Sequence, residues 1–235
     1  MATYAISDIH GEYEHYMRLL ERIRFSEEDT LYVLGDVLDR GPHPIKVLQE
    51  MMKCPNVIPI AGNHEAMGTA CLRFLQEEIT EESIAFISMD LVNQLLDWQR
   101  NGSVTTIDEF HKLDPDARAD IISYIENFSA YEEVAVNDKS YVLVHAGFQN
   151  FSPVRPLCDY SLDELVWERP DYEKPYFEDK YVVTGHTPTQ IIGSNPRPGY
   201  IYRANNHIAI DCGAFYGGRL GAICLETGEE FYSTR

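Results

Sequence analysis

The sequence predicts an α/β fold in which a largely parallel sheet is covered by helices. Two patterns support this fold class: short apolar runs alternate with helical patterns through the N-terminal part, and a long helical pattern occupies residues 66–128. Strand–helix–strand alternation is typical of parallel sheets, because a parallel connection needs a dozen or more residues and is usually a helix. The long helical pattern predicts a helical insertion between two halves of the sheet.

Buried strands are predicted where a short apolar run is bounded by polar or turn residues. The first five such runs cover residues 4–6, 31–34, 57–60, 141–144 and 181–183. Three more strands are predicted at residues 208–210, 222–225 and 230–232, with the last two joined across Thr227 and Gly228. The N-terminal order is therefore β-α-β-α-β.

Helices are predicted from the spacing of apolar residues. Residues 13–23 keep helical spacing, and residues 42–52 offer a second helix with proline near its first turn. In the insertion, Leu91, Leu95 and Trp98 share one helical face, a break falls at residues 101–102, and a new helix begins at residues 114–115. Residues 148–179 are predicted as an ordered loop with one short helix near residues 162–166.

Length and charge bound the class of protein. The chain has 235 residues, 44% of them hydrophobic, which fits a single domain spanning residues 1–235. Its formal charge is −19, because 38 acidic residues outnumber 19 basic ones. Proteins that bind a nucleic-acid backbone over a broad face need a basic surface, so stable nucleic-acid binding is not expected.

The cysteines and the apolar runs predict a cytoplasmic location. Five cysteines occur, an odd number without a Cys-x-x-Cys pair, which favours reduced thiols over a disulfide framework. No uninterrupted apolar run approaches the roughly 20 residues that a membrane span needs, and the first residues do not resemble a signal peptide. Neither export nor membrane association is expected.

Each of the first five apolar runs leads into metal-capable side chains beside glycine. Ligands of open α/β sheets bind outside the carboxyl ends of strands, so these side chains are expected to converge although they are distant in sequence. One aspartate or histidine after a strand is usually a turn, capping or core residue, but the whole set favours a metal site. The segments are Asp8-x-His10-Gly11, Gly35-Asp36-x-x-Asp39-Arg40-Gly41, Gly62-Asn63-His64-Glu65, His145-Ala146-Gly147 and Gly185-His186-Thr187-Pro188.

The donor types indicate which metals fit. Carboxylate, carboxamide and imidazole groups suit manganese, iron or zinc rather than the soft ions that thiolates select. Six ligands are too many for one structural zinc and fit two ions that share a bridging carboxylate. Paired ions of this kind stabilise both the attacking and the leaving oxygen at a phosphorus atom. The sequence therefore predicts a two-metal site for phosphoester chemistry.

These motifs resemble, in residues, order and spacing, the PPP-type serine/threonine phosphatases within the calcineurin-like metallophosphoesterase superfamily. The His-Ala-Gly and Gly-His-Thr-Pro forms look most like the bacterial and phage branch, which also includes symmetrical diadenosine tetraphosphate hydrolases. The resemblance covers residues 3–225, and residues 211–220 look like the C-terminal block of that branch. It implies a metallophosphoesterase-type β-sandwich core flanked by helices.

The resemblance also implies a role for each matching residue in metal binding. Asp8 and His10 would bind the first ion, Asp36 would bridge, and Asn63, His145 and His186 would complete the second site. The implied cofactors are two divalent ions, with manganese expected and iron or zinc as alternatives. A hydroxide bridging the ions would attack phosphorus in line, so no phosphoenzyme is required.

The remaining implied roles concern protons and phosphate oxygens. His64 would donate a proton to the leaving oxygen, and Asp39 would orient and support its imidazole. Arg40 would bind phosphate oxygens through its forked guanidinium. Arg169 matches the second phosphate-binding arginine of the family, with a surface ion pair as the structural alternative.

Several residues depart from the motifs or lie outside them. Ser7 stands where the family usually has glycine, and Cys212 stands where the family often has threonine. Cys212 is interpreted as a small core residue, and its proximity to the site leaves an oxidation-sensitive role as the alternative. His15 is expected opposite the apolar face of its helix. No chemistry is assigned to the histidines outside the motifs, which are His15, His43, His111 and His207.

Four functions are compatible with these motifs. The leading prediction is a phosphomonoester hydrolase acting on phosphoserine and phosphothreonine in proteins, and the alternative is a dinucleoside polyphosphate hydrolase with the same metal core. Specificity lies in the loops around the site, so the fold does not separate these two. A nuclease or cyclic-nucleotide phosphodiesterase ranks lower, because a polymer substrate would be expected to need a basic track. A non-catalytic module that binds phosphorylated partners is disfavoured because Asp39, Arg40 and His64 are all retained.

Overall fold

Two five-stranded sheets form the centre of the protein. The computed structural model describes residues 1–76 and 87–233, so residues 77–86 of the predicted insertion lie outside the described residues. The first sheet has the order β10-β9-β1-β2-β3. Its strands are β1 (Thr3–Ile6), β2 (Thr30–Leu34), β3 (Val57–Ile60), β9 (Leu220–Cys224) and β10 (Glu230–Ser233). The second sheet has the order β4-β5-β6-β8-β7. Its strands are β4 (Tyr131–Val136), β5 (Lys139–Val144), β6 (Lys180–Thr184), β7 (Tyr202–Ala204) and β8 (His207–Ala209).

Each sheet contains three parallel strands with antiparallel strands at its edge. In the first sheet β1 and β3 run parallel to β2, as the predicted β-α-β-α-β order requires. Strand β9 is antiparallel to β1, and β10 is antiparallel to β9. In the second sheet β6 runs parallel to both β5 and β8, while β4 and β7 are antiparallel edge strands. The prediction of eight strands was correct, but it missed β4 and β7. Strand β4 carries Glu132 and Glu133 side by side, and β7 has only three residues, so neither gives an apolar run.

The two sheets pack face to face as a sandwich. One apolar cluster contains Ala5, Leu34 and Ile60 of the first sheet together with Leu143 and Val183 of the second. Helices cover the other face of the first sheet, where a second cluster includes Leu31 and Val33 of β2. The predicted β-sandwich core flanked by helices is therefore confirmed. That residues 1–235 form one domain stays a prediction.

Seven helices occur among the described residues, and four of them belong to the insertion or adjoin it. They are α1 (Tyr13–Ile23), α2 (Pro44–Met52), α3 (Asn63–Gln76), α4 (Met89–Arg100), α5 (Val104–Phe110), α6 (Pro115–Glu126) and α7 (Leu162–Val166). The predicted break after Arg100 and the start at Pro115 are confirmed, and the Asp114 side chain caps α6 by accepting from the Ala117 N–H at 2.8 Å. Helix α3 begins at Asn63, three residues before the predicted insertion, so it places motif residues in its first turn. Helix α5 was missed because its seven residues are too few to show a clear period.

The predicted exposure of His15 was wrong. His15 is buried on α1 together with Tyr16, Leu19 and Ile23, and its ring lies 3.4 Å from Ser233 Oγ on β10. The helix packs against the β9–β10 edge of the first sheet, so more of its circumference is covered than the apolar spacing indicates. Among the described residues, no helix combines the length and apolar character that crossing a bilayer requires.

Candidate active site

The five motifs converge at the carboxyl ends of parallel strands from both sheets. Asp8 follows β1, Asp36 follows β2, Asn63 follows β3, His145 follows β5 and His186 follows β6. Asp36 lies at the centre of this convergence. Its Oδ2 is 3.4 Å from His10 Nε2, and its Oδ1 is 3.4 Å from His145 Nε2. The predicted site residues are therefore brought together by the sandwich, as the strand-end argument requires.

The backbone of this site is strained at most of its predicted functional residues. Positive φ is uncommon for residues other than glycine and costs about 1–3 kcal/mol per residue, and such residues cluster at functional sites. Six of the ten predicted site residues adopt it: Asp8 (φ 53°), His10 (44°), Asp36 (53°), Asp39 (70°), Arg40 (68°) and His186 (59°). The turn after β1 forms with Ser7 in place of the family's glycine.

Two glycines of the motifs are required by close approach. A Cβ at Gly62 would overlap Asp36 Oδ1, and a Cβ at Gly185 would overlap Asp8 Oδ2. The site is therefore packed tightly enough that side chains at these two positions would displace its carboxylates.

One group of donors lies around Asn63. Its Oδ1 is 3.0 Å from His145 Nε2 and 3.0 Å from His186 Nδ1. The His145 Nδ1–H donates to the Leu34 carbonyl oxygen at 2.7 Å, so in the neutral imidazole Nε2 carries a lone pair. Two lone pairs then face each other without a proton to share, an arrangement that a bound cation would stabilise. The donor chemistry of Asn63, His145, His186 and Asp36 fits a metal ion.

A second group of donors lies around His10. Its Nδ1–H donates to the Leu38 carbonyl oxygen at 2.9 Å, and Nε2, 3.4 Å from Asp36 Oδ2, accepts from Arg40 Nη1 at 2.8 Å. A backbone acceptor on one ring nitrogen is the usual way in which proteins fix the tautomer of a metal-binding histidine. Asp8 is buried beside this group and accepts from the His186 backbone N–H at 3.0 Å. His10, Asp36 and His64 have ligand atoms within 4.8 Å of one another, and Asp8 lines the same cleft as His10 and Asp36, so this side of the site also fits a metal ion.

The site contains several buried carboxylates close to one another, which positive charge would stabilise. Burial, with the neighbouring carboxylates of Asp211 and Asp36, raises the pKa of Asp8 well above its ordinary value. Burial and the Glu65 carboxylate raise the pKa of Asp36 in the same direction. Burial also lowers the pKa of His10 and His145, which keeps both imidazoles neutral and able to act as ligands. Divalent cations would offset the repulsion between the buried carboxylates.

His64 and Asp39 form a buried pair next to the metal-capable groups. His64 Nδ1 lies 2.6 Å from Asp39 Oδ2, and both side chains are fully buried. Burial lowers the pKa of His64 to about 2 and raises the pKa of Asp39 to about 7. His64 Nε2 is buried, lies 3.9 Å from Asp36 Oδ2, and has no hydrogen-bond partner within the described part of the chain. An imidazole with this unpartnered nitrogen has the geometry of a proton carrier.

Both predicted phosphate-binding arginines line the cleft. Arg40 is fixed by its bond to His10 and by donation from Nε to the Asn101 carbonyl oxygen at 3.4 Å. Arg169 is exposed and lines the same cleft as Asp8, Asn63 and His186. The cleft therefore offers two guanidinium groups to an anionic ligand.

The sequence reasoning left two acidic residues of this region without a role. Glu65 is buried, and its carboxylate accepts from the backbone N–H groups of Asp36 and Gly62 at 2.8 Å, Val37 at 2.9 Å and Leu38 at 3.1 Å. Asp211 lines the cleft and accepts from the Gly213 N–H at 2.8 Å, and burial raises its pKa to about 6. Both carried a signal: Glu65 follows His64, and Asp211 follows an apolar run and stands near Gly213.

Cys212 does not present a reactive thiol. Its side chain is 2% exposed, and burial raises the pKa of the thiol far above its ordinary value. Reactive cysteines are accessible and have lowered pKa values. Cys212 is therefore a small core residue, as one of the two interpretations of the sequence held.

The chain belongs to the calcineurin-like phosphoesterase family, because residues 1–215 match the sequence profile of that family. The protein is therefore a hydrolytic enzyme of the metallophosphoesterase class. The family typically uses a dinuclear divalent metal centre. This confirms the resemblance and the enzyme class that the motifs predict.

Two relatives with similar sequences carry the same name, symmetrical bis(5'-nucleosyl)-tetraphosphatase. The chain is 28% identical to a symmetrical bis(5'-nucleosyl)-tetraphosphatase of Neisseria gonorrhoeae over 97% of this chain and 94% of that protein. It is 32% identical to a protein of the same name from Erwinia tasmaniensis, over 48% of this chain and 42% of that protein. The chain thus spans less than half of the second relative in this alignment and nearly all of the first.

Solved structures share the fold at lower identity. A crystal structure of a candidate diadenosine tetraphosphatase superposes with a TM-score of 0.65 at 20% identity, covering 98% of this chain and 91% of the other. A yeast protein serine/threonine phosphatase with similarity to human phosphatase PP5 gives a TM-score of 0.59 at 13% identity, covering 100% of this chain and 80% of the other. At these identities the likeness extends to the fold alone.

Proposed function

We propose that the protein hydrolyses bis(5'-nucleosyl) tetraphosphates symmetrically, which consumes one water and yields two nucleoside diphosphates. One observation carries the proposal: the relative with this name aligns with 97% of the chain and 94% of its own length. This was the alternative prediction from the sequence. The leading prediction, a serine/threonine protein phosphatase, is supported only at the level of the superfamily.

Six residues would hold the metal ions. The ligands proposed are Asp8, His10, Asp36, Asn63, His145 and His186, with Asp36 shared between the two groups of donors. Two divalent ions, when bound, supply positive charge to the phosphoryl oxygens and a nucleophile at neutral pH. Manganese is the metal proposed, with iron or zinc as alternatives, because the mixed oxygen and nitrogen donors suit all three.

His64 is proposed to carry the proton that the leaving oxygen needs. Its Nδ1–H is held by Asp39 at 2.6 Å, so the unpartnered Nε2 is the atom that can exchange a proton with the substrate. Burial and the positive charge of Arg40 keep the pKa of the resting imidazole low. An anionic phosphate beside Nε2 favours the charged imidazolium, so substrate binding would raise its proton affinity at the point where the proton is used.

Arg40 and Arg169 are proposed to bind the phosphate chain. Both guanidinium groups line the cleft, and a planar fork matches phosphate oxygens better than an ammonium group does. Arg40 is anchored by Asn101 and His10, so its position is largely set before substrate binds. Preorganised charge of this kind costs little ordering entropy on binding.

The proposed location is the cytoplasm. All five cysteines are free thiols, which supports the reduced environment that the sequence predicts.

Product analysis with two substrate classes tests the proposed function. The manganese-loaded protein is incubated with diadenosine tetraphosphate and, in parallel, with a phosphoserine peptide, and the products are separated by anion-exchange chromatography. The expected result is ADP as the sole nucleotide product, with slower release of phosphate from the peptide. Release of phosphate from the peptide without cleavage of the dinucleotide would overturn the proposal in favour of a protein phosphatase. Formation of ATP and AMP would overturn the symmetry of the cleavage.

A further inference from the structure

Large aromatic side chains are almost all covered in this protein. Among the large aromatic residues in 1–76 and 87–233, only Trp167 and Tyr216 are exposed, with 45% and 66% of their surface accessible. Single exposed hydrophobic residues are ordinary and need no explanation. Both of these rings, however, border the candidate active site. Two exposed rings scattered at random over the surface would not be expected to lie at the same site.

Tyr216 lies on the side of the site where His10 is found. Its ring centroid is 5.3 Å from that of Phe215, and Phe215 is 6.4 Å from the His10 ring in an edge contact. The Arg40 guanidinium carbon lies 5.8 Å from the Tyr216 centroid. A group stacked on Tyr216 would therefore lie next to the arginine proposed to bind phosphate.

The loop that carries Tyr216 is internally hydrogen-bonded. The Gly218 N–H donates to the Gly213 carbonyl oxygen at 2.9 Å, and the Arg219 N–H donates to the Cys212 carbonyl oxygen at 3.1 Å. Gln190 Nε2 also donates to the Cys212 carbonyl oxygen at 2.8 Å. The ring is thus presented on an ordered support, which reduces the ordering cost of binding a ligand.

Trp167 lies on the other side, next to His186. The two ring centroids are 6.2 Å apart with nearly perpendicular planes. Trp167 also lines a groove whose other walls include Ala66, Met67 and Asn101. The Asn101 carbonyl oxygen accepts from Arg40 Nε at 3.4 Å, so a residue of this groove contacts a residue of the proposed phosphate-binding cleft.

We propose that Tyr216 and Trp167 stack the two nucleobases of a dinucleoside polyphosphate whose phosphate chain lies across the site between them. This inference rests on the proposed function and deepens it, since it assigns the residues that recognise the nucleoside ends. A flat aromatic ring stacks on any base because every base has a π-face, so these contacts favour a nucleotide without specifying which base. The polar groups of Gln94 and Asn101 in the Trp167 groove add hydrogen-bonding partners for a base edge.

Inhibition by product separates base recognition from phosphate recognition. Hydrolysis of p-nitrophenyl phosphate by the manganese-loaded protein is inhibited with ADP or with inorganic phosphate, in the wild type and in Tyr216→Leu and Trp167→Leu. Leucine keeps the apolar bulk but removes the stacking face. We expect the inhibition constant for ADP to rise about 5- to 150-fold, the range given by base–aromatic stacking. The inhibition constant for phosphate should change less than about two-fold.

Matched variants control for shape and for surface changes. Tyr216→Phe and Trp167→Phe keep an aromatic ring and are expected to restore most of the ADP affinity lost in the leucine variants. Val154 is 88% exposed and does not line the cleft, so Val154→Ala is expected to leave both inhibition constants unchanged.

The outcomes distinguish this inference from the proposed function. Equal losses for ADP and phosphate, or loss of phosphoserine-peptide binding with unchanged ADP inhibition, would overturn base stacking. Cleavage of diadenosine tetraphosphate with unchanged KM in both leucine variants would overturn it while leaving the proposed function intact. Selective loss of ADP inhibition in a protein that does not cleave the dinucleotide would support stacking and overturn the proposed function.

Discussion

The Trp98 indole N–H donates to Asp39 Oδ2 at 2.7 Å, which ties the helical insertion to the candidate catalytic pair. Thr106 on α5 donates to Asp39 Oδ1 at 2.6 Å and accepts from the Asp39 N–H at 2.9 Å. Hydrogen bonds from α4 and α5 therefore hold the Asp39 carboxylate in place. Asp39 in turn orients the His64 imidazole. The insertion therefore supports the site structurally, and it also forms a wall of the groove beside Trp167.

Replacing Trp98 with phenylalanine should weaken this support. Trp98→Phe keeps an aromatic ring but removes the donor to a buried carboxylate, an interaction worth about 1.5–3 kcal/mol. We expect kcat for diadenosine tetraphosphate, or for p-nitrophenyl phosphate, to fall about 10-fold because the His64 imidazole is held less firmly. We expect the free energy of unfolding to fall by about 1–3 kcal/mol, measured by urea denaturation.

Phe110→Leu is the matched control for this change. Phe110 is fully buried in the same insertion and contributes packing without a side-chain hydrogen bond. Its replacement should lower stability and leave kcat close to that of the wild type. Equal reductions of kcat in both variants would show that general loosening, rather than the lost donor, weakens the enzyme.

The Glu65 carboxylate organises the loop that follows β2. Each of its oxygens accepts from two backbone N–H groups. In Glu65→Gln one of these oxygens becomes an NH2 group, so two buried N–H groups lose their acceptor at about 1–3 kcal/mol each. We expect the free energy of unfolding to fall by about 2–6 kcal/mol and the bound metal per chain to decrease, because the Asp36 backbone is no longer fixed.

The exposed Glu14 on α1 provides the comparison for Glu65. Glu14→Gln makes the same chemical change at a solvated position and should leave stability and metal content unchanged. Urea denaturation and elemental analysis measure both quantities. Wild-type metal content in Glu65→Gln would contradict the positioning role of this carboxylate.

The sequence predicted every strand that lies inside a sheet and the site residues that follow those strands. The six strands inside the sheets all gave apolar runs: β1, β2, β5, β6, β8 and β9. Two edge strands, β3 and β10, gave apolar runs as well. The edge strands β4 and β7 gave none, since an edge strand tolerates polar residues such as Glu132.

The support behind the site was harder to predict than the site itself. Asp8, Asp36 and His145 could be predicted because each follows the end of a strand and has a motif glycine within three residues. Trp98 and Thr106 reach Asp39 across 59 and 67 residues of sequence, and nothing in their local spacing indicates this. Such contacts depend on how the insertion packs, which periodicity alone does not specify.

Removing the metal should destabilise the wild type in a way that depends on Asp36. A ligand present at 100 times its dissociation constant stabilises the folded state by about 2.7 kcal/mol, so chelation should lower Tm and added Mn²⁺ should restore it. Asp36 contributes to both groups of donors, and Asp36→Asn should abolish the shift. Burial and Glu65 raise the pKa of Asp36 in the metal-free chain, so the neutral asparagine should not lower the metal-free Tm.

Asp120 lies exposed on α6 and serves as the control for the metal experiment. Asp120→Asn should keep the full Mn²⁺-dependent shift in Tm and the wild-type metal content. A wild-type Tm that is indifferent to both chelator and Mn²⁺ would contradict the proposed metal ligands.

Glu164 should make the stability of the loop after β5 depend on pH. The Arg155 guanidinium donates to both of its oxygens, and the Ser161 N–H and hydroxyl complete a capping box at the start of α7. The Arg155 hydrogen bond, followed by the Ser161 backbone, lowers the pKa of Glu164 to about 2. A depressed carboxyl pKa means that the stabilisation is complete above the unfolded value of about 4.3 and is lost as the pH falls towards 2. We therefore expect Glu164→Gln to lower Tm at pH 6 and the difference from the wild type to shrink between pH 4.5 and pH 3, measured by differential scanning fluorimetry. A difference that stays constant over this range would show that the charge of Glu164 contributes nothing to holding α7 in place. The Glu164 and Leu165 carbonyl oxygens of α7 accept from the Gln149 and Ala146 N–H groups at 2.9 and 3.1 Å, so the position of this helix also fixes the backbone that follows His145.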